Sequence, residues 1–419
     1  MNSVAAAAPI CRERRGKSCG AHRAVLLRAP PRGRRTLATR KRAGTSRDDD
    51  VHLSNHKRTL VKPPSSRTSP PLAPKIDMAT MKAWRLNAYN EDVPKAIESM
   101  TLEDVPVPVP KDGEVQIKVD TASINPIDWK LFSGGYHGLF PVTFPYTPGF
   151  DVAGTVSAVG PNTTLKVGDR VIVDTGLAES CNAAAKVEPG GAFAEFVLAP
   201  EGLVVKIGDL PFEKVAGLPL AGMTSYQALF TGNGTDFTGK ALGSLAAGQK
   251  LLVLGGASMT GQFAIQLGKD AGATVATTAS SNPMPDGTPK VDAMKALGAD
   301  VVVNYKSEDW SAVLAGKEYD LIYDCVGDAE DWKKAAKVLK KGGKFVTIAN
   351  FGENAPIDGL EIQAFIIKSN SADLAILVEK VKAGKLKVGI DSTVPLADVK
   401  AALIKSVGWS AAGKQLVKI

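Results

Sequence analysis

The most regular hydrophobic pattern in the chain begins at residues 251–254, an apolar run that predicts a short buried strand. A glycine-rich turn follows at residues 255–261, and an amphipathic helix continues from Gln262. Four more strand patterns, with helical patterns between them, are found at residues 274–278, 300–304, 321–325 and 344–349. This alternation predicts a parallel sheet covered by helices, which is a doubly wound α/β domain of the Rossmann type.

The glycine-rich turn is the first candidate for a binding site. A strand, a glycine-rich turn and a helix in this order bind the pyrophosphate of a dinucleotide, because N–H groups at the helix N-terminus face it. The turn departs from the G-x-G-x-x-G pattern at one position, because Ser258 stands where the pattern has its middle glycine. A Cβ at that position leaves less room for the pyrophosphate to approach the turn, although the serine hydroxyl could itself bind phosphate. Five turn residues are predicted to bind the cofactor: Gly255, Gly256, Ser258, Thr260 and Gly261.

The end of the second strand indicates which dinucleotide binds. A carboxylate there would accept a hydrogen bond from the ribose 2′-OH and would repel a 2′-phosphate. Residues 277–281 read TTASS and contain no acid, so NADPH is favoured over NADH. Hydroxyl groups, a cation and a phenol near this strand end are predicted to contact the 2′-phosphate: Ser280, Ser281, Lys290 and Tyr305.

A different pattern flanks this domain. Short strands separated by turns are predicted at residues 82–86, 114–121, 152–159, 170–173 and 192–198, and they indicate an antiparallel, partly barrel-like, β-rich domain. Near the end of the chain, helices and strands alternate at residues 371–383, 388–393, 396–406 and 414–419. We expect this last part to complete the β-rich domain. The predicted domains are a catalytic domain of residues 81–206 and 353–419, and a dinucleotide-binding domain of residues 207–352.

The net charge of +8 comes from residues 1–77, which we call the leader. The leader holds 18 Lys and Arg against 5 Asp and Glu, whereas the rest of the chain holds 33 against 38. It lacks Phe, Trp and Tyr, so it cannot build a packed core and is predicted to be disordered. Its Arg- and Ser-rich, acid-poor composition is typical of an organelle transit peptide. A nucleic-acid-binding arm is disfavoured because aromatic stacking groups are missing, and initiation at Met78 or Met81 would leave a cytoplasmic protein.

The residue types exclude several classes of protein. After the leader, the chain has two cysteines, Cys181 and Cys325, and a single histidine, His137. Two cysteines allow at most one disulfide and no multi-cysteine zinc site, and one histidine excludes a two-histidine metal site. A Ser-His-Asp triad would have to use His137. No apolar run approaches the roughly 18 residues of a transmembrane helix, so no integral membrane segment is predicted.

Six segments carry a distinctive combination of residues: SINPIDWK (123–130), PGFDVAG (148–154), VGDRV (167–171), LPLAGMTSY (218–226), LGAD (297–300) and GKLK (384–387). Together they resemble the quinone oxidoreductase-like proteins, which form the zinc-independent branch of the medium-chain dehydrogenase/reductases. The resemblance covers residues 81–419 and is strongest to plastid members and alkenal reductases. It implies a GroES-like catalytic domain, a homodimer and location in the chloroplast, with the mitochondrion as the alternative.

The resemblance also implies the chemistry. Zinc-dependent relatives place a Cys and a His where this chain has residues 126–128 and Phe150, and a catalytic zinc needs such ligands, so no metal is predicted. What remains is hydride delivery from NADPH to a quinone or an α,β-unsaturated carbonyl. Two alternatives stay open: an enoyl-thioester reductase, and a low-turnover NADPH-binding protein that acts as a redox sensor or scaffold.

Several site residues follow from the same resemblance. Asn125 matches the family's Asn near the nicotinamide ribose, and the alternative is a cap on the following turn. Thr224 matches a Thr beside the cofactor, and the alternative is a helix-start hydroxyl. Asn350, directly after the fifth predicted strand, is also assigned to the cofactor site. Asp128 and Lys130 are interpreted as a structural ion pair or strand-end charges rather than as catalysts.

Tyr136 falls where related enoyl reductases carry a tyrosine that lines the substrate cleft. Reduction of an alkenal C=C leaves an enolate that needs a proton, and a phenol with a pKa of about 10 can supply it. The alternative is an aromatic wall of an apolar pocket. His137 could donate instead, but adjacent side chains on an extended segment point in opposite directions, so only one should face the cofactor. The predicted catalytic residues are Tyr136 and Asn125.

Overall fold

The computed structural model describes residues 79–137, 140–176, 191–352 and 354–419. The predicted leader and Cys181 lie outside these ranges, and Cys325 is a free thiol. Among the helices of the described ranges, none is long and apolar enough to cross a membrane.

The described residues form fifteen β-strands and nine α-helices. The strands are β1 (Thr80–Arg85), β2 (Thr101–Pro106), β3 (Glu114–Ser123), β4 (Asp151–Val159), β5 (Arg170–Asp174), β6 (Phe196–Pro200), β7 (Val205–Lys206), β8 (Lys250–Leu254), β9 (Thr274–Ala279), β10 (Val301–Asn304), β11 (Tyr319–Asp324), β12 (Leu339–Thr347), β13 (Glu361–Ala364), β14 (Ile390–Pro395) and β15 (Lys414–Lys418). The helices are α1 (Val93–Ser99), α2 (Pro126–Lys130), α3 (Pro219–Phe230), α4 (Met259–Asp270), α5 (Lys290–Ala296), α6 (Trp310–Val313), α7 (Ala329–Ala335), α8 (Ser371–Lys382) and α9 (Val399–Val407).

Six strands form a parallel sheet in the order β10-β9-β8-β11-β12-β13. Every neighbouring pair is parallel, so all six carboxyl ends lie at one edge of the sheet. The chain starts at the inner strand β8, moves outward to β9 and β10, and then crosses to β11 on the other side. Ligands of such sheets bind where the strand order reverses, which here is between β8 and β11. The predicted α/β fold of the Rossmann type is confirmed.

The second large sheet has the order β14-β15-β3-β4-β5-β7, and β6 pairs with β3. Its strands are antiparallel except for the parallel pair β14 and β15. β1 and β2 form a separate antiparallel pair. The path of the described strands has two ends, at β14 and β7, so these strands form an open, mixed sheet and not a closed barrel.

Several elements differ from the prediction. β13 is the sixth strand of the parallel sheet, although the sequence pattern assigns residues 353–419 to the catalytic domain. Only four of its residues pair with β12, and a run this short does not show a clear period. The strand expected at residues 192–198 begins at Phe196, because the backbone hydrogen bonds of Phe193 and Glu195 are isolated ones that go to different segments, at Pro148, β1 and β3. The pattern predicts neither β2 nor α1.

One hydrophobic cluster spans both sheets. It contains Ala153 and Ile172 from the mixed sheet, Leu251 and Val253 from the parallel sheet, and Met223 from α3. A second cluster packs against the mixed sheet, and a third packs against the parallel sheet. The two sheets therefore share a buried core, in which α3 is the common element.

The third cluster provides a test of the core. Ile322 in β11 is 0% exposed, so Ile322→Ala removes buried methyl groups and leaves a cavity. We expect the free energy of unfolding to fall by about 2–5 kcal/mol. Ile404→Ala in α9, where the residue is 40% exposed, is the matched control and should cost less than about 1 kcal/mol. Urea denaturation measures both values, and equal losses would contradict this placement of Ile322.

Candidate active site

The predicted glycine-rich turn lies at the carboxyl edge of the parallel sheet, between the end of β8 and the start of α4. Gly255 has a φ of +86°, a conformation that L side chains rarely adopt. A Cβ on Gly256 would lie 2.1 Å from Thr277 Oγ1, so only glycine lets the turn pack against β9. Helix geometry leaves the first N–H groups of α4 without intrahelical partners. A tight turn beside such donors fits the pyrophosphate of a dinucleotide.

Ser258 is the N-cap of α4. Its hydroxyl oxygen accepts a hydrogen bond from the Gly261 N–H at 3.1 Å and donates to the Gly255 carbonyl at 2.8 Å. The Thr260 hydroxyl lies 3.2 Å from it. The side chain therefore holds the shape of the turn, which gives a physical reason for a serine at the middle-glycine position. Direct contact between Ser258 and a phosphate stays a prediction.

The hydroxyl residues at the end of β9 have different environments. Thr277 donates to a backbone carbonyl of β8 at 2.8 Å, and Thr278 Oγ1 accepts from the Gly255 N–H at 2.9 Å. Both threonines therefore join β9 to β8 and to the turn. Ser280, one residue beyond the strand, is buried, and Ser281 is exposed.

The remaining residues predicted for the 2′-phosphate lie on nearby elements. The Tyr305 N–H donates to the Ala279 carbonyl at 3.2 Å, so Tyr305 and Ser280 follow adjacent strands at the same edge. The Tyr305 ring is exposed, and the Lys306 ammonium lies 5.4 Å from its centroid. Lys290 is the first residue of α5 and is partly exposed.

Thr224 and Asn350 make hydrogen bonds close to their own positions in the chain. The Thr224 hydroxyl is buried in α3 and donates to the Leu220 carbonyl at 2.7 Å. The Asn350 amide nitrogen donates to Asn354 Oδ1 at 3.1 Å, and its oxygen accepts from the Gly352 N–H at 3.2 Å. Their contacts with a cofactor stay predictions.

A row of buried polar side chains crosses one edge of the mixed sheet. Ser123 ends β3, Asp151 begins β4 and Asp174 ends β5. The strand register pairs Ser123 with Asp151, and Asp151 with Asp174. Lys414 begins β15, which pairs with β3 on the other side. Antiparallel pairing thus collects three charged residues and a serine at one end of four adjacent strands.

Asn125, Asp151 and Lys414 form a hydrogen-bonded unit in this row, which we call the Lys414 unit. Lys414 Nζ donates to Asp151 Oδ2 at 2.8 Å and to Asn125 Oδ1 at 2.5 Å. Asp151 Oδ2 also accepts from Asn125 Nδ2 at 2.9 Å and from the Ser123 hydroxyl at 2.6 Å. The side chains of Lys414 and Asp151 are 3% and 0% exposed. A buried ion pair in contact with the predicted catalytic Asn125 makes this unit part of the candidate site.

The Lys414 unit is also bonded to α3. The Leu220 N–H in the first turn of α3 donates to Asp151 Oδ1 at 2.8 Å. Farther along α3, the Ser225 hydroxyl donates to the Thr260 carbonyl in α4 at 2.8 Å. One helix therefore connects the buried unit with the helix that begins at the dinucleotide turn.

Asp128 and Lys130 do not form the expected ion pair in the described part of the chain, and they lie on α2 rather than at a strand end. Asp128 Oδ2 accepts from the Asn125 N–H at 2.7 Å, and burial raises the pKa of the Asp128 carboxyl well above its usual range. The Lys130 ammonium lies 6.0 Å from the Trp129 ring centroid and 5.5 Å from that of Trp409. Burial lowers the pKa of Lys130. The ion-pair interpretation is therefore wrong.

Tyr136 and His137 lie in a turn and not in the extended segment that the sequence suggests. Tyr136 is half-buried against the core of the mixed sheet, and this burial raises its pKa. His137 is exposed, and its ring centroid lies 6.0 Å from that of Tyr89. Burial, rather than strand alternation, is thus what distinguishes the two side chains.

The charged members of the polar row are the site residues that sequence reasoning misses. Asp151 lies inside the segment at 148–154, but its sequence gives no sign of a cationic partner. Lys414 is the first residue of the last strand, where a lysine is usually a solvated strand end. The only signal that could have revealed the pair is the expectation that β15 returns to the first sheet, which brings Lys414 close to Asn125.

Among the described residues, no group of three or more His, Cys, Asp and Glu side chains could hold a metal ion. Residues 126–128 lie in the first turn of α2, and Phe150 is fully buried in the core of the mixed sheet. A site without metal stays a prediction.

Two protein-family models match the chain. The model described as "Alcohol dehydrogenase GroES-like domain" matches residues 111–209, and the model described as "Zinc-binding dehydrogenase" matches residues 297–417. The first match covers β3 to β7 of the mixed sheet, and the second extends from β10 to β15.

Curated proteins and solved structures match over most of the chain. A chloroplast envelope quinone oxidoreductase homolog of Arabidopsis thaliana is 32% identical over 327 residues, which cover 75% of this chain and 92% of the relative. An NADPH-dependent alkenal/one oxidoreductase, chloroplastic, of the same plant is 33% identical over a match that covers 75% of this chain and 73% of the relative. The structure of the quinone oxidoreductase from Coxiella burnetii matches with a TM-score of 0.65 at 25% identity, covering 81% of this chain and 100% of that one.

The polar row predicts a specific pH dependence of stability. Asp174 accepts hydrogen bonds from the Ser369 hydroxyl at 2.6 Å and the Gly176 N–H at 3.1 Å. Burial, and secondarily repulsion by Asp151, raises the pKa of Asp174 from 3.8 to about 7. Because the folded pKa is above the unfolded one, the bound proton stabilises the fold at low pH, and this contribution is lost as the pH rises through about 7.

Asp174→Asn keeps the shape of the side chain and removes this titration. We expect the free energy of unfolding of the wild type, minus that of the variant, to fall between about pH 4 and pH 7 and to be constant above about pH 8. Urea denaturation across this range measures the difference. A difference that does not change with pH, or that rises with pH, would be inconsistent with a raised pKa.

Proposed function

This chain belongs to the quinone oxidoreductase-like family of medium-chain dehydrogenase/reductases, and we propose that it is an NADPH-dependent reductase of quinones or α,β-unsaturated carbonyls. As a member of this family it is an oxidoreductase. The observation that carries the choice of NADPH is the acid-free end of β9, where Ser280 and Ser281 follow the strand beside the glycine turn. Without a carboxylate there, a 2′-phosphate meets no repulsion and can accept hydrogen bonds from hydroxyl groups.

Different residues of the chain bind the cofactor, orient the nicotinamide and donate the proton in the proposed reaction. NADPH, when bound, supplies the hydride. The turn at Gly255–Gly256 and the N-terminus of α4 hold the pyrophosphate, and Asn125 orients the nicotinamide end by hydrogen bonding. The Tyr136 phenol is protonated at neutral pH, as a phenol with a pKa of about 10 or above must be, and it can give a proton to the enolate of a reduced enal.

The other candidate functions share part of this site. An enoyl-thioester reductase would use the same hydride and proton transfers on a larger substrate. A redox sensor or scaffold would bind NADPH with little turnover, which Ser258 favours only if its Cβ obstructs the pyrophosphate. Because Ser258 caps α4 and keeps the turn in place, we favour the enzyme.

We further propose that the protein acts in the chloroplast, because two relatives carry chloroplast names and the leader has the composition of a transit peptide. A mitochondrial location is the alternative. A homodimer is expected from the family. These proposals concern location and assembly, and the chemistry does not depend on them.

The direct test of function is consumption of NADPH by the purified protein with a panel of quinones, enals, enones and enoyl thioesters. We expect turnover with quinones or enals, and the same rates after exhaustive chelation. Preference for enoyl thioesters would support the runner-up. NADPH binding without turnover on any substrate would support the sensor, and chelator-sensitive turnover with one zinc per chain would contradict the metal-free mechanism.

The choice of cofactor makes a separate prediction. We expect kcat/KM to be higher for NADPH than for NADH with one acceptor, and Ser281→Asp to shift the ratio toward NADH by at least about tenfold, since a carboxylate repels the 2′-phosphate. Ser281→Asn adds similar bulk without charge and is the control. If the wild type uses the two cofactors equally, or prefers NADH, the assignment is wrong.

Tyr136 separates the two substrate classes. Tyr136→Phe keeps the ring but removes the proton, so turnover of enals should fall by roughly 10²–10⁴-fold. A quinone can take its proton from water after hydride transfer, so quinone turnover should change only a few-fold. His137→Gln is the control and should affect neither reaction. Equal losses for both substrates would show that Tyr136 shapes the pocket, and no loss for either would remove it from the site.

A further inference from the structure

Lys414 is a charged side chain that lies in the protein interior, almost out of contact with solvent. Its side chain is 3% exposed, and its stem packs so closely against Gly217 that a Cβ there would lie 2.5 Å from Lys414 Cγ. Burying an ammonium and a carboxylate costs so much desolvation free energy that such pairs are often no more stabilising than apolar residues of similar size. The position of Lys414 therefore requires an explanation other than stability.

The contacts of Lys414 restrict the orientation of a neighbouring amide. Asn125 presents its oxygen to the Lys414 ammonium and its nitrogen to the Asp151 carboxylate. Rotating this amide by 180° would place the NH₂ group against the ammonium and the oxygen against the carboxylate. Both contacts would then be repulsive, whereas the observed orientation makes two charge-assisted hydrogen bonds. The two charges thus hold the Asn125 amide in one of its two orientations.

One hydrogen of the Asn125 amide has no acceptor among the described residues. Nδ2 carries two hydrogens, and Asp151 accepts one of them. The other is a donor whose direction is fixed by the planar amide. Asp151 itself is well satisfied, since it accepts from Ser123, from Asn125, from Lys414 and from the Leu220 N–H. The carboxylate is thereby kept in the place that the amide orientation requires.

We propose that Lys414 is a positioning residue, which acts with Asp151 to aim the free N–H of Asn125 at an uncharged oxygen of the nicotinamide riboside. This inference rests on the proposed function, in which Asn125 meets the nicotinamide end of NADPH. Lys414 itself touches neither cofactor nor substrate. Its contribution reaches the reaction only through the orientation of Asn125, which fixes the nicotinamide for hydride transfer.

The experiment separates charge burial from amide orientation. Lys414→Met leaves Asp151 buried without its cation, so the melting temperature of the protein without ligand should fall. The double variant Lys414→Met/Asp151→Asn removes both charges and should recover most of that loss. Lys414→Met removes the cation that holds the amide oxygen of Asn125, and the double variant removes both charges, so each variant holds the amide less firmly than the wild type does. We therefore expect both to bind NADPH about tenfold more weakly and to show kcat/KM about 10²-fold lower, although their stabilities differ.

A mutant cycle tests whether Lys414 acts through Asn125. If it does, adding Lys414→Met/Asp151→Asn to Asn125→Ala should change the NADPH dissociation constant, measured by nicotinamide fluorescence, by less than about twofold. Lys405→Met is the matched control. It removes the lysine of α9 that pairs with Asp391 in β14 of the same sheet, where the Asp391 side chain is 2% exposed, and it should lower stability but not NADPH affinity.

Two results would overturn the inference. If affinity and turnover recover together with stability in the double variant, Lys414 has only a structural role. If the charge-removing substitutions and Asn125→Ala have additive effects on the dissociation constant, Lys414 does not act through the amide. A wild type that binds NADPH but reduces no substrate would contradict the proposed function alone. The mutant cycle on the NADPH dissociation constant would still decide the role of Lys414. A wild type that does not bind NADPH would defeat both.

Discussion

A lysine ammonium can stay in a protein interior only if a carboxylate and hydrogen-bond acceptors replace the water it has lost. In this protein the ammonium of Lys414 is matched by Asp151, and the two side chains are 3% and 0% exposed. The carboxylate in turn needs donors from β3, from the N-cap residue of α2 and from the first turn of α3. Because α3 leads from the mixed sheet to the parallel sheet, the requirement of one buried charge constrains how the two sheets meet.

The dinucleotide turn depends on a second constraint, which is steric. Gly256 lies so close to Thr277 that no side chain is tolerated, and Ser258 ties the turn to the first turn of α4. The hydrogen bond from Ser225 to the Thr260 carbonyl then joins α4 to α3. A rigid turn and a fixed amide are thus attached to the same helix pair. This shared attachment is a physical reason why cofactor binding and hydride transfer would depend on both parts of the molecule.

The parts of this structure that sequence can predict are those with a local signal. The strand-turn-helix pattern from residue 251 predicts the parallel sheet and the glycine turn, since each depends on neighbouring residues. β13 has only four paired residues, too few for a period to be visible. Lys414 and Asp151 are 263 positions apart, so their pairing depends on the return of β15 to β3, and neither residue looks unusual in its own segment. Likewise, the sequence places Asp128 and Lys130 two positions apart but does not show that α2 directs one toward Asn125 and the other toward Trp409.

The most direct test of this account is a crystal structure of the full chain with NADPH bound. We expect the pyrophosphate at the turn Gly255–Gly256 and an uncharged oxygen of the nicotinamide riboside within about 3 Å of Asn125 Nδ2. Asn125 Oδ1 should remain on the Lys414 ammonium in that complex. A nicotinamide distant from Asn125, or an Asn125 amide that has left Lys414 to reach the cofactor, would contradict the claim that the buried ion pair positions the reacting end of the cofactor.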